Sequence, residues 1–208
     1  MTFSFKSFLP AIALIIGMTA PAVSQDAATD TAAPALTYMA IGPADAKVTI
    51  VEYASFTCPH CAAFHTNVFK DLKKDYINTG KVRFEFREVY FDRYGLWASM
   101  MARCGGEVRF FGITDILYTT QQEWAATDDA AAVTESLKRI ALTAGMDAVA
   151  IDACMADAAM AEALVAQYQE NATRDGVEGT PTLLINGEKY SNLSYDELKA
   201  IIDPLLAE

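Results

Sequence analysis

Two cysteines separated by two residues, Cys58-Pro59-His60-Cys61, follow a β-branched run, Val48-Thr49-Ile50-Val51, and precede an apolar stripe of Phe64, Val68, Leu72 and Tyr76. This pattern predicts a buried strand that passes through a short loop into a helix, with Cys58 at the helix start. Pro59 suits the first helical position, where its missing N–H costs nothing, and free backbone N–H groups are then directed at the Cys58 sulfur. Those donors and the helix dipole favour a thiolate. Cys61 falls on the same helical face, close enough for a disulfide. The thiolate exists only in the reduced pair, so whatever stabilises it makes the disulfide a stronger oxidant, by about 30 mV for each pKa unit. His60, between the cysteines, adds positive charge or an N–H donor beside Cys58. The chemistry these residues point to is thiol–disulfide exchange.

Cys58-Pro59-His60-Cys61 resembles the active site of the DsbA family, the periplasmic disulfide oxidases of the thioredoxin superfamily. Glu52, six residues before the first cysteine, falls where this superfamily carries a buried acid, and Gly179-Thr180-Pro181-Thr182 resembles its cis-proline loop. The resemblance implies a thioredoxin-like α/β fold with an inserted all-helical subdomain. It implies that Pro181 is cis, lies against the cysteines and keeps metal from the pair, while the Thr180 backbone takes an extended client segment as an added strand. Glu52 would lie behind the cysteines, where it either takes and supplies the proton of the exchange or forms a structural pair with a basic residue of a neighbouring strand. Clients would be reduced or unfolded secreted proteins, and reoxidation would come from a membrane quinone-linked partner of the DsbB type. Thr180 departs from the best-known oxidases, which have valine there; related isomerases have threonine.

The chain has 208 residues, 52% of them hydrophobic, enough for one domain with a sizeable core. Residues 1–24, with Lys6 and an apolar stretch from Phe8 to Met18, look like a secretory signal peptide cleaved after Ala22 or Ser24, which places the mature protein in the periplasm. The competing reading is an uncleaved membrane anchor, which Pro10, Gly17 and Pro21 disfavour. Residues 25–35 read as a flexible leader. The net charge of −11, or −12 without the first 24 residues, would repel nucleic acid and anionic lipid.

Leu36 to Ile41 reads as an edge strand, and Lys81 to Arg87 alternates charged and apolar residues as a strand with one wet face should. From about Phe91 to Thr173 the strand signal gives way to four or five helical patterns, so the thioredoxin part occupies 36–90 and 174–208 and the helical insertion 91–173. Cys104 and Cys154 each fall on an apolar helix face, and in an oxidising compartment an even cysteine count invites pairing. A structural Cys104–Cys154 disulfide is expected, worth roughly 4 kcal/mol in the chain-entropy model; two separate buried thiols are the alternative. Thr182 to Ile185 reads as a strand, Asn186-Gly187 as a hairpin turn with Glu188 to Tyr190 returning, and Ser194 with Glu197 as a capping box for a last helix, which Pro204 could kink.

His65 reads as a surface residue of the active-site helix. Asn171 and Asn192 head glycosylation patterns taken as chance matches. A monomer without cofactor is expected. The rival readings are an isomerase or reductase with the same chemistry, a client-binding chaperone module in which the cysteines are incidental, and a metal site using Cys58, Cys61 and His65, which lacks a fourth ligand.

Overall fold

Val48 to Ala54 form the most deeply placed strand of the sheet, and the other strands are arranged around it. The computed structural model describes residues 1–2 and 36–207, so the expected signal peptide, its cleavage points, the membrane-anchor alternative and the flexible leader lie outside the described residues. Strand β1 (Met39–Ile41) is followed by β2 (Val48–Ala54) and β3 (Val82–Glu88), and the chain returns late to the sheet as β4 (Thr182–Ile185) and β5 (Glu188–Tyr190). The spatial order is β1-β3-β2-β4-β5. Strand β2 runs parallel to β3 and antiparallel to β4, with Glu52 opposite Phe86 on one side and Leu183 on the other. Being buried on both faces, β2 is mostly apolar, interrupted by Thr49 and by the buried Glu52. Its period of two sends Ile50, Glu52 and Ala54 toward the main core, and Val51 and Tyr53 to a smaller cluster with Val89 on the opposite face. Glu52 is thus the one charged side chain that β2 aims into the main core.

The wet face of β3 is only half wet. Arg87 donates to Glu85 at 2.6 Å and to Asp175 at 2.8 Å, and its guanidinium lies 4.7 Å from the Tyr38 ring centroid and 5.4 Å from that of Tyr53. Alternation had marked these charges for solvent; tyrosines and a paired arginine cover them instead.

A continuous helix connects β2 to β3. It begins as α1 (Pro59–Phe64), widens into a π-helical stretch (His65–Phe69), tightens as α2 (Lys70–Leu72) and widens again (Lys73–Ile77). After β3 come α3 (Arg93–Cys104), α4 (Gly106–Thr119), α5 (Gln121–Trp124), α6 (Ala130–Thr143), α7 (Ala148–Met155) and α8 (Ala158–Arg174). Asp92, Asp129, Asp147 and Asp157 cap α3, α6, α7 and α8 with their carboxylates, which gives several of the chain's many acids a local structural reason. The β4–β5 hairpin turns at Asn186 and Gly187, whose φ values of 47° and 91° suit those two residues. Helix α9 (Tyr195–Ala207) closes the chain; the Ser194 N–H donates to the Glu197 carboxylate at 2.8 Å, as the capping-box spacing requires, and Pro204 lies within the helix.

One continuous core cluster, from Val48 and Phe84 in the sheet to Phe110 and Leu137 in the helices, joins the insertion to the sheet. Two further ties are specific. Cys104 at the end of α3 is bonded to Cys154 in α7, with a Cα separation of 6.0 Å. Arg103 makes a two-pronged bond to Glu88 at the end of β3, 2.5 and 2.8 Å, and both side chains are buried. Removing one member leaves the other charged in the core, which costs about 3–5 kcal/mol. Arg103→Ala is therefore expected to lower unfolding stability in denaturant by that much, and the apolar double replacement Glu88→Leu with Arg103→Met by much less; equal losses in the two proteins would contradict it.

Candidate active site

Cys58 stands between β2 and α1 in an extended conformation, φ −82° and ψ 120°, as the residue that caps the helix. Its N–H donates to the Ser55 carbonyl at 3.1 Å, and its carbonyl accepts from the Ala62 N–H at 3.2 Å. Pro59 takes the first helical position. The N–H groups of His60 and Cys61 therefore remain free for the Cys58 sulfur. Cys58 is 8% exposed and Cys61 is fully covered, so an incoming sulfur reaches Cys58 first.

The loop after α8 closes the site from the other side. The Thr180–Pro181 peptide bond is cis, and the reduced Cys58 thiol donates to the Thr180 carbonyl at 3.5 Å. The Thr180 hydroxyl is buried and has no hydrogen-bond partner among the described residues. A groove of about 640 Å³ runs from His60 along Glu178, Thr180 and Pro181 to Lys189 and Asn192. His60 is exposed at its mouth. Asn192 lines this groove, whereas Asn171, which heads the other glycosylation pattern, is buried and accepts from the Tyr38 hydroxyl.

These surroundings separate the two thiols. The Cys61 thiol donating to the Cys58 sulfur is the largest influence on Cys58, and the Thr180 hydroxyl and the N–H groups of Cys61 and His60 add to it. Against the opposing effect of burial they bring Cys58 down to about 5. Burial first, then its donation to Cys58 and the charge on Glu52, pushes Cys61 far above the ordinary thiol range. One sulfur carries the charge and the other keeps the proton.

Glu52 is 1% exposed beneath the pair, and its Oε1 has no hydrogen-bond partner among the described residues. Burial, followed by the charge on Cys58, raises its carboxyl to about 8. The alternative of a structural pair with a basic residue of β3 is not realised, since Arg87 points to the opposite face and is held by Glu85 and Asp175. An unpaired buried carboxyl that is protonated near neutrality is suited to proton transfer.

His65 corrects the sequence reading. It is buried, 3% exposed, between the rings of Phe69 and Tyr118 at centroid distances of 4.8 and 5.0 Å, and its Nε2 lies 3.2 Å from Asp115 Oδ1. Burial lowers its pKa to about 4, so the ring is neutral at physiological pH. Helical spacing already puts His65 beside Cys61 and Val68, so the error came from reading a polar residue type as a surface one; the π-helical stretch His65–Phe69 widens the inward face to take in Phe69 as well. That spacing was the available signal.

Sequence reasoning missed the groups that hold the loop before Cys58. The Thr57 hydroxyl donates to Asp92 at 2.6 Å, the Tyr118 hydroxyl to the Ser55 carbonyl at 3.3 Å, and the Gln121 amide to the carbonyls of Phe56 and Cys58. All three partners come from the segment after β3, too far away in sequence for any local pattern to reveal them.

A family model described as thioredoxin matches residues 35–204. A protein of Rickettsia bellii named for protein-disulfide oxidoreductase activity is 33% identical over 82% of this chain, and the aligned region covers 65% of that protein. The corresponding share of a Rickettsia felis relative is 60%, so the chain spans less than two thirds of these relatives' length. Disulfide bond formation protein D of Bacillus subtilis is 27% identical, over 78% of this chain and 74% of its own. Among solved structures, Wolbachia pipientis alpha-DsbA1 superposes with a TM-score of 0.75 at 26% identity, covering 82% of this chain and 91% of that one. A protein-disulfide isomerase from Novosphingobium aromaticivorans gives 0.71 at 25% identity, over 82% of this chain and 98% of that one. With the cysteine pair at a helix start, the facing cis-proline loop and the helical insertion, the chain belongs to the thioredoxin family, within its DsbA-like group.

Proposed function

We propose that this protein is a thiol:disulfide oxidoreductase that donates its Cys58–Cys61 disulfide to exported proteins. The observation that carries this reading is the unequal treatment of the two sulfurs, with Cys58 held near 5 and Cys61 kept protonated. A reduced pair stabilised in this way gives up its electrons reluctantly, so its disulfide oxidises others.

In the first step a client thiolate attacks the Cys58 sulfur of the oxidised pair. The S–S bond breaks, and the electron pair goes to Cys61, which takes a proton. Glu52, protonated near neutrality, supplies that proton from beneath. A mixed disulfide now joins client to Cys58. A second client thiolate attacks the client sulfur of that bond, and Cys58 leaves as its thiolate. The client has lost two electrons and two protons; one of those protons, through solvent, restores Glu52, so the enzyme keeps both electrons and a net one proton, on Cys61, and the other proton remains in solvent. The groove beside Thr180 and Pro181 is suited to an extended client segment, with the Thr180 backbone pairing as a neighbouring strand would. Reoxidation falls to a membrane partner of the DsbB type, and residues 1–24 serve as the export signal. No helix among the described residues is long and apolar enough to cross a membrane.

A second reading, disulfide isomerase, is favoured by Thr180 and by the name of the Novosphingobium protein. The chemistry is shared, and the direction follows from the stability of the Cys58 thiolate. The Thr180 side chain, close to the Cys58 sulfur, favours its charged form, which works toward oxidation.

With a reduced unfolded client, the wild type is expected to form client disulfides faster than glutathione disulfide alone. In Cys61→Ser the Cys58 thiolate attacks glutathione disulfide, glutathione thiolate leaves, and the mixed disulfide on Cys58 should accumulate for want of a resolving thiol, whereas Cys58→Ser should be inert; activity persisting after both cysteines are replaced would establish the chaperone reading instead. Thiolate absorbance of the reduced protein should titrate near 5, and higher in Thr180→Val. Folding lowers this thiol from its ordinary 9, so between about 5 and 9 the unfolded chain binds the extra proton. The reduced form should therefore gain stability relative to the oxidised form as pH rises through that window, by the linkage of proton binding to folding; unfolding of both forms across it gives the check, and a flat difference would count against the assignment.

A further inference from the structure

The helical insertion reaches the nucleophile loop through a donor that the exchange steps leave unused. Gln121, the first residue of α5, is 3% exposed, and its Nε2 donates to two carbonyls at once, Phe56 at 2.8 Å and Cys58 at 3.0 Å. The Cys58 carbonyl also accepts the Ala62 N–H at 3.2 Å. On the other side of Cys58, its N–H is held at 3.1 Å by the Ser55 carbonyl, itself anchored by the Tyr118 hydroxyl at 3.3 Å. Both peptide planes that meet at the Cys58 Cα are thus fixed from outside the loop. Because each plane is rigid, fixing both sets φ and ψ of Cys58 and with them the direction of its Cα–Cβ bond.

That direction decides whether the sulfur lies in line with the N–H groups of His60 and Cys61, and hydrogen bonds weaken steeply when bent. Gln121 has little freedom to relax. Its helix is pinned by Trp124, 1% exposed, whose indole N–H donates to the Leu117 carbonyl at 2.7 Å. The charged and titratable groups around Cys58 are Glu52, Cys61, Tyr118 and, at the surface, His60. Gln121 is neutral, so it acts on the sulfur through orientation and carries no charge of its own.

We propose that Gln121 is a positioning residue for the exchange reaction: reaching from the helical insertion, its amide fixes the carbonyls of Phe56 and Cys58 and so aims the Cys58 sulfur at the helix-start N–H groups. The inference rests on the reading of Cys58 as the thiolate leaving group. It gives the insertion a part in the chemistry beyond covering the site.

Gln121→Met keeps the length of the side chain and removes both donors. In the reduced variant the Cys58 titration is expected to move up by about one pH unit, a tenfold loss of thiolate below the midpoint, comparable to one net hydrogen bond. The reduced form should also lose more stability than the oxidised form. Equal losses in both forms, with the Cys58 titration of the wild type, would make Gln121 a purely structural residue and overturn the inference alone. A wild-type Cys58 that titrates as an ordinary thiol would overturn the functional reading and this inference with it. If Gln121→Met does not fold, Gln121→Ala leaves room for water at both carbonyls and carries the same readout, with a rise of the same sign expected.

Discussion

A negative charge held on one sulfur and kept off its neighbour three residues away is the interaction on which this structure depends. It requires several donors at Cys58 and burial that outweighs any donor at Cys61, within a single helical turn. The helix start supplies the donors, because the first N–H groups of a helix have no partners of their own. The core removes water from Cys61, which is fully covered. Glu52 fits the same division. A carboxylate so close to a thiolate would be repelled by it, and burial without a partner keeps this carboxyl protonated up to about 8. Charge and proton are thereby sorted among three groups by burial and by the direction of hydrogen bonds.

The rest of the fold gives that arrangement its rigidity. Strand β2 ends at Ala54, four residues before Cys58, and is fixed by parallel pairing to β3 and antiparallel pairing to β4. Strand β4 begins directly after Pro181, so the same sheet that delivers the cysteines also delivers the loop that faces them. The insertion is joined to the sheet by a continuous apolar core and by the buried Glu88–Arg103 pair. It meets the nucleophile loop at Asp92, Tyr118 and Gln121. A client that approaches Cys58 therefore meets a loop held from both parts of the fold.

Much of this was legible in the sequence because it is local. The β-branched run, the cysteine spacing, Pro59 at the helix start and the Asn186-Gly187 turn each carry their geometry within a few residues. The pairing of Cys104 with Cys154 could be expected only from compartment and count, since 50 residues separate them. His65 was misplaced because its polar type outweighed its spacing from Cys61 and Val68, and the aromatic sandwich of Phe69 and Tyr118 that shelters it is in part long-range. The one-turn helix α5 was not foreseen, and with it went Gln121, whose two bonds span more than 60 residues. What escaped the sequence is what long-range hydrogen bonds decide. The main exception ran the other way, where Glu85 and Arg87 alternated as a solvent face but pair with each other, with Arg87 against the rings of Tyr38 and Tyr53.

The central claim is that the surroundings of Cys58 and Cys61 make their disulfide a donor. Equilibrating the protein with glutathione buffers and reading the oxidised fraction of this pair gives its reduction potential directly. The predicted result is a potential well above that of the glutathione couple. A potential at or below it would mean that the Cys58 thiolate is not stabilised as described, and that the pair works as a reductant or isomerase.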